Sequence, residues 1–277
     1  MSWSQEPVAN PVRLDAEVAA NCVEAGGLRL ELRVPGWPGF APGQFVMLSP
    51  GVRTAVERTD PLLPRPMAVY RETRGNGAPR IEILFKRHGR GTALLADAAP
   101  GQRIRVVGPL GRGFPLGAVG ERALLVAGGT GIASVYELAA RLRAAGHADV
   151  TVLLGARVAL DLMAEADFES LGVTLRIATE DGSRGTRGLV TALLEEALDA
   201  DAAARVYACG PTPMMRRAAE IAAERSVPCS VSLENPMACG FGVCLGCAAP
   251  LAGGGFALVC RDGPVFDAVD IDWDGLA

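Results

Sequence analysis

With 277 residues, 49% of them hydrophobic, the chain has material for two or three small cores. A formal charge of −4, mixed along the chain without an acidic or basic tail, excludes the basic stripe that nucleic acid selects. No run approaches the ~20 uninterrupted apolar residues of a membrane span, and the polar stretch Met1–Asn10 lacks the basic and apolar regions of a signal peptide, which predicts a cytoplasmic protein.

The first zone, residues 1–116, holds short apolar runs at Gly43–Leu48, Met67–Tyr70, Ile81–Phe85 and Arg103–Val107, separated by Gly- and Pro-rich turns. That texture predicts a small antiparallel β-barrel or sandwich. Gly51–Pro64 reads as a polar loop closed by prolines. Arg65-Pro66-Met67-Ala68 stands just before an apolar strand, a place where an arginine is ordinarily a surface residue. It gains meaning from Gly91-Thr92, which open the helical-looking segment Ala93–Asp97. Free amides and a hydroxyl at a helix N-terminus suit a phosphate, and Arg65 offers a forked guanidinium to the same group. His88 either lines that phosphate or fills the loop.

The second zone, 117–227, changes period. Apolar strands at Arg122–Ala127, Val150–Leu154, Val173–Ala178 and Arg205–Cys209 alternate with helical spacing, as in Ile132, Val135, Leu138, Ala139 and Leu142, and again over Leu189–Leu198 and Pro213–Arg225. Buried strands alternating with helices predict a parallel sheet covered on both faces, an α/β Rossmann-like unit. The turn Gly128-Gly129-Thr130-Gly131 lies between a strand and a helix, the context of a dinucleotide phosphate turn, although a purely structural glycine turn fits the same residues. Cys209-Gly210-Pro211 ends a later strand, and ligands of open parallel sheets bind at strand carboxyl ends. Ser183 and Arg184, after Glu180-Asp181-Gly182, either meet a nucleotide 2′-phosphate or decorate a loop. His147 follows Gly146 at a helix end and is expected to be exposed.

The third zone, 228–277, holds a short strand (Ser230–Leu233), a glycine-and-cysteine loop and a hairpin turning at Gly253–Gly255. It is too small to fold on packing alone, so a staple is expected. Of the seven cysteines, Cys239, Cys244, Cys247 and Cys260 lie in this zone's loop and hairpin. The first three follow the C-x4-C-x2-C spacing of plant-type [2Fe–2S] ligation, with the fourth ligand further on. Two irons need two thiolates each, and interleaved glycines let backbone amides turn toward the sulfurs. Structural zinc prefers two C-x2–4-C pairs, and only one is present; disulfides conflict with the compartment. Cys22 and Cys229, with no partner pattern, are expected in the core.

Arg65–Ala68, Gly91-Thr92, the glycine turn and Cys209-Gly210-Pro211 occur in the order of the ferredoxin–NADP reductase superfamily. With Ser232–Gly240 and the four cysteines added, the chain resembles the electron-transfer subunits of dihydroorotate dehydrogenase B over about residues 10–270. The resemblance implies an antiparallel β-barrel FAD domain, a Rossmann-like NAD domain and a small C-terminal [2Fe–2S] domain. It further implies FAD in the cleft between the first two, held by Arg65, Pro66, Met67, Ala68, Leu84, Phe85 and Lys86, with Gly91 and Thr92 on the pyrophosphate. NAD would meet Gly128, Gly129, Thr130, Gly131, Cys209, Gly210 and Pro211. The implied partner is an FMN-containing dihydroorotate dehydrogenase catalytic subunit, in a heterotetramer serving pyrimidine biosynthesis. Two features depart from the pattern: Ala68 stands where Ser or Thr is usual, and the Gly-Thr-Gly-Ile turn is closer to the broader reductase form.

Two other readings share these parts: the flavin subunit of another complex (a ferredoxin:NADP oxidoreductase, hydrogenase or sulfite reductase) and a non-catalytic redox sensor. Neither histidine sits in a nucleophile or metal pattern, which suits a protein whose cofactors do the chemistry. Met237, Phe241, Val243 and Leu245 around the cysteines form either a docking face or packing for the hairpin.

Overall fold

The computed structural model describes residues 10–50 and 61–276; the N-terminal stretch Met1–Ala9 and the greater part of the proline-closed loop, Gly51–Asp60, lie outside the described residues. The first sheet is built from β1 (Val12–Glu24), β2 (Gly27–Arg33), β3 (Phe45–Leu48), β4 (Arg65–Ala68), β5 (Arg71–Thr73), β6 (Arg80–Phe85) and β7 (Arg103–Leu110), with α1 (Gly89–Ala96) between the last two. All neighbours are antiparallel, in the order β4-β3-β7-β1-β2-β6-β5. The edge strands β4 and β5 are separated in sequence by Val69 and Tyr70, and Tyr70 N–H donates to Glu82 O at 2.9 Å. The sheet is therefore a curled half-barrel and not a fully closed barrel. Period-two alternation explains its core: Leu30, Leu32, Ile81, Ile83, Ile104 and Val106 are all buried in one cluster, while Leu84 on the opposite face packs toward the second unit.

That second unit begins with β8 (Arg122–Gly128) and α2 (Ile132–Ala144), followed by β9 (Val150–Ala156), α3 (Glu165–Ser170), β10 (Thr174–Thr179) and β11 (Thr186–Arg187). Then come α4 (Val190–Ala200), β12 (Ala204–Cys209), α5 (Thr212–Glu224) and β13 (Cys229–Ser232). The strand order is β11-β10-β9-β8-β12-β13, parallel throughout. Alternate residues of β8 enter different cores: Leu124 and Val126 meet α4 and α5, whereas Ala123, Leu125 and Ala127 meet α2. The strand is thus buried on both faces, which is why it reads as a continuous apolar run. The chain winds from β8 outward to β11 and then returns to β12, so a topological switch point falls between β8 and β12.

The C-terminal zone is joined to this sheet. Its first strand, β13, is the sixth strand of the parallel array, and after the hairpin β14 (Ala248–Pro250) and β15 (Phe256–Leu258) the chain returns as β16 (Val265–Asp267), antiparallel to β13. Leu233 N–H donates to Pro264 O at 2.9 Å, closing the excursion between them. Two sequence expectations fail. His147 is buried, not exposed: its N–H donates to Leu142 O, and its Nδ1 lies 3.0 Å from Glu121 O. Cys22 is exposed near the tip of the β1–β2 hairpin, while Cys229 is in the core as expected. No helix among the described residues is long and apolar enough to cross a membrane.

Candidate functional site

A cleft of about 1080 Å³ runs between the half-barrel and the carboxyl ends of β8, β9, β12 and β13. That is at the top of the ~300–1,000 Å³ range of small-molecule sites, large enough for an extended dinucleotide. Its half-barrel wall is Arg65, Pro66, Met67 and Ala68 of β4, Leu84 and Phe85 of β6, and Lys86, His88 and Thr92 beyond it. Its other wall includes Gly128, Gly129, Thr130, Gly210 and Pro211, the turns on either side of the switch point.

Three of the predicted residues stand behind this surface. Gly91 lies beneath the Arg65 side chain, so the guanidinium is seated on the first turn of α1. Gly131 is pressed against the end of β12: a Cβ there would lie 2.3 Å from the Cys209 carbonyl oxygen, so only glycine lets α2 start this close to the neighbouring strand. Cys209 is fully buried, and burial followed by the charge of Glu234 pushes its thiol up to about 12. It is a neutral wall element. The Thr92 hydroxyl accepts the His88 N–H at 2.6 Å, fixing the approach to α1. The Arg65 guanidinium donates to Leu63 O at 2.9 Å and also faces the cleft. Arg65, Lys86 and the first turn of α1 give this end a positive, amide-rich lining. The donors fit a pyrophosphate, and the apolar remainder fits a flavin ring.

Sequence reading missed five cleft residues with charged side chains, of which Asp161 pairs with Lys86 and Arg217 with Glu195. Arg157, Glu180 and Glu234 each line the cleft, and none has an ion pair or side-chain hydrogen bond among the described residues. Each stands one or two residues past the end of a parallel strand (β9, β10 and β13), so the strand-end rule was the signal that would have found them. Solvent reaches Glu234 through the open cleft, yet the protein packed around it holds its carboxyl above the usual carboxylate range by burial. Ser183 and Arg184 do not line the cleft. The Ser183 hydroxyl donates to Asp181 Oδ1 at 2.6 Å, and Arg184 pairs with Glu165, so the cleft's own charges beside the β9 and β10 ends are Arg157 and Glu180.

The cysteine loop continues directly from this cleft. Glu234, Asn235, Pro236 and Met237 line it, and Cys239 follows Met237 by two residues, within ~7 Å of extended chain. Strand β3 backs both: Phe45 lines the cleft, and Met47 supports Gly240, whose φ of +87° and whose missing Cβ, 2.6 Å from Met47 Cγ, both demand glycine. The four sulfurs fall into two pairs. Cys247 Sγ is 3.2 Å from Cys260 Sγ, and Cys244 is the thiol that acts on Cys239, lowering its pKa. Gly242 N–H donates to Cys260 Sγ at 3.1 Å, and Cys260 N–H to Cys247 Sγ at 3.4 Å. Burial opposes ionisation of Cys239, but the amides of Cys244, Phe241 and Val243 and the Cys244 thiol draw it down to about 6. Burial and the Cys247 contact instead push Cys260 up to about 12. Among the described residues no three His, Cys, Asp or Glu side chains converge as a single-ion site. Two thiol pairs with amides aimed at sulfur fit a two-iron cluster, which takes two thiolates per iron.

Around this loop Phe241, Val243 and Leu245 are 56%, 73% and 64% exposed, so they do not pack on the hairpin; Met237 is half-buried against the core.

Residues 234–272 match the iron-sulfur cluster binding domain of dihydroorotate dehydrogenase B, and residues 125–220 the oxidoreductase NAD-binding domain. The chain is 41% identical over 264 residues to the Bacillus caldolyticus dihydroorotate dehydrogenase B (NAD(+)) electron transfer subunit, covering 94% of this chain and 95% of the relative. It is 40% identical to the probable counterpart in Methanopyrus kandleri, covering 91% and 89%. Among solved structures, the NADH-dependent reduced ferredoxin-NADP oxidoreductase of flavin-based electron bifurcation superposes with a TM-score of 0.77 at 30% identity, covering 94% of this chain and 90% of that one. The ferredoxin reductase of carbazole 1,9a-dioxygenase shares the fold, with a TM-score of 0.67 at 21% identity, covering 80% and 68%.

Proposed function

The chain belongs to the family of dihydroorotate dehydrogenase B electron-transfer subunits, and from that membership we propose that it relays electrons from the FMN of a partner dihydroorotate dehydrogenase, through a [2Fe–2S] cluster and FAD, to NAD+ in pyrimidine biosynthesis. When bound, the flavin exchanges single electrons with the cluster and a hydride with nicotinamide.

The chain's own residues supply position and electrostatics. Arg65 and Thr92, on β4 and α1, hold the flavin pyrophosphate, while Pro66, Met67, Ala68, Leu84 and Phe85 form the apolar bed of the ring. Lys86 adds charge at the end of β6. Gly128, Gly129 and Thr130, with Gly210 and Pro211, admit the pyridine nucleotide at the switch point, and the buried, neutral Cys209 and Gly131 hold the two turns together. Ala68 carries no hydroxyl, so at this position it offers the ring only its backbone and a methyl group. Cys239, Cys244, Cys247 and Cys260 hold the cluster. The observation that carries this reading is the continuity of the two sites: Met237 lines the cleft and Cys239 follows it by two residues.

The exposed trio Phe241, Val243 and Leu245, next to the cluster, is the face that meets the catalytic subunit, in keeping with the tendency of contiguous exposed apolar residues to mark interfaces. A heterotetramer of two such pairs is the assembly expected. The 30% identity to the bifurcating oxidoreductase favours one alternative, service to another NAD(P)H-linked complex. Co-purification decides between them: a dihydroorotate dehydrogenase supports the first, a larger iron–sulfur flavoprotein the second.

The test is an absorbance and EPR spectrum of anaerobically purified protein, with the released flavin identified and NADH then added. FAD, iron with labile sulfide, and bleaching of the flavin by NADH are expected. A colourless protein, or one holding zinc, refutes the proposal.

A further inference from the structure

The segment from Arg157 to Ala164 joins β9 to α3 and carries two cleft residues, Arg157 and Asp161. It forms the lip of the cleft beside the β9 end, and the half-barrel grips it at two places and the helix that follows it at a third. Lys86 pairs with Asp161. Glu24 Oε1 accepts the Ala164 N–H at 3.0 Å. At the far end, Asp167 Oδ2 accepts the Tyr70 hydroxyl and an Arg29 guanidinium N–H, both at 2.6 Å, and Arg71 lies 3.5 Å from Oδ1.

These half-barrel groups are themselves tied together. Arg29 reaches Glu24 and Glu82, each at 3.1 Å, and Arg71 grips Glu82 with contacts of 2.8 to 3.0 Å. Arg29 and Arg71 also lie over the Tyr70 ring, which packs on Tyr136 of α2 at 4.5 Å. Without Asp167 the remaining set of Arg29, Arg71, Glu24 and Glu82 is balanced, two charges of each sign. Asp167 therefore adds nothing needed for neutrality on the half-barrel side. What it adds is a bond across the boundary between the two units, from 138 residues away in sequence.

We propose that Asp167 is a positioning residue that pins the 157–164 lip to the half-barrel and so holds the pyridine-nucleotide half of the cleft in its binding geometry. The inference rests on the reading above that NAD enters this cleft. It assigns no contact between Asp167 and either cofactor. The lip's outer half is the lightly held part: Asp161 N–H donates to Val158 O, Leu162 N–H to Ala159 O, Ala159 N–H to the Ser183 hydroxyl at 2.8 Å and Asp181 N–H to Arg157 O at 3.3 Å, and Leu160 is 71% exposed, whereas Leu162, Met163 and Ala164 are buried. Releasing the pin lowers the fraction of molecules with the lip in place, and apparent affinity falls by that fraction.

The test uses the FAD- and cluster-loaded full chain with Asp167→Asn, Asp167→Glu and Tyr70→Phe. For D167N the Kd for NADH is expected to rise roughly tenfold, as for a binding-competent fraction near a tenth. The rate of flavin bleaching at saturating NADH and the FAD-to-protein ratio stay within twofold. D167E recovers part of the affinity, and Y70F, which keeps the ring and removes one of Asp167's bonds, raises Kd by a smaller factor. Trypsin, in the absence of nucleotide, cuts D167N faster at Arg157. The proposal is overturned if the D167N Kd is unchanged while its melting temperature falls, if the saturated rate falls instead of the affinity, or if FAD is lost in parallel. Should D167N not fold, an unchanged Kd and unchanged Arg157 cleavage in Y70F overturn it equally. Failure of wild-type protein to bind NADH refutes the functional reading instead, and the cleavage rates then still report whether the pin holds the lip.

Discussion

Gly131→Ala isolates the contact between the two nucleotide turns. The added Cβ would stand 2.3 Å from the Cys209 carbonyl oxygen, 2.4 Å from its carbon and 2.6 Å from Gly210 N, where ordinary contact begins at 3.4 Å. All three obstructing atoms are backbone, so no rotamer relieves them and the start of α2 must move about 1 Å from the end of β12. Overpacking of this kind costs about 2 kcal/mol, which for a domain of this size lowers Tm by roughly 4–8 °C. The functional cost is larger, because the displaced atoms join Gly128–Thr130 to Gly210-Pro211. A misplacement of ~1 Å is worth up to ~100-fold in turnover efficiency. Stopped-flow bleaching of the flavin by NADH measures this directly, with FAD content as the check that the half-barrel site is intact. Gly75→Ala, where nothing lies within 4 Å, serves as control. A G131A protein that melts within a degree of wild type and bleaches within twofold of its rate refutes the close-approach argument.

Replacing Val243 or Phe241 by Asp is expected to weaken association with the catalytic subunit by at least ~10-fold, as for a buried interface anchor, while leaving NADH-driven bleaching of the isolated chain unchanged; size exclusion and flavin absorbance check the two halves. Glu234→Gln removes a carboxyl that burial holds above its ordinary range. A raised carboxyl pKa means the folded state binds the proton more tightly, so ionisation destabilises wild type as pH rises from about 4.5 through the folded pKa. The variant is thus expected to melt higher than wild type at pH 8 and level with it near pH 4, and equal melting at both refutes this. Glu180→Arg, beside Arg157 at the strand ends, is expected to raise NADPH use relative to NADH about tenfold by removing a charge that repels a 2′-phosphate, whereas Arg184→Ala, already paired with Glu165, leaves the ratio unchanged; steady-state kinetics with both nucleotides decides.

Much of this arrangement was legible in the residues because it depends on local spacing. C-x4-C-x2-C is a property of one loop, and the shift from period two to helical spacing announced the change from half-barrel to α/β unit. What escaped depends on contacts between distant segments. Glu234 has no motif; it matters because β13 ends at the cleft. Asp167 belongs to the second zone and Tyr70 and Arg29 to distant strands of the first, and only the closed fold brings them within hydrogen-bond distance. His147 misled because Gly146 marks a helix end, and helix ends are usually wet; here the chain doubles back and Glu121 O takes the ring nitrogen. Cys22 misled in the opposite direction, as a small apolar residue on a strand that extends beyond its core.

The hydrogen bond from Leu233 to Pro264 has a consequence for how the molecule comes apart. The cysteine-bearing excursion leaves and re-enters the parallel sheet at adjacent points, so its two feet are fixed whether or not its interior is ordered. Stripping the metal should then melt residues 235–263 as a closed flap while β12, β13 and β16 stay registered. Oxidative damage to the cluster would silence the one-electron port yet spare a working flavin reductase, and repair would need iron and sulfide but no refolding of the nucleotide sheet.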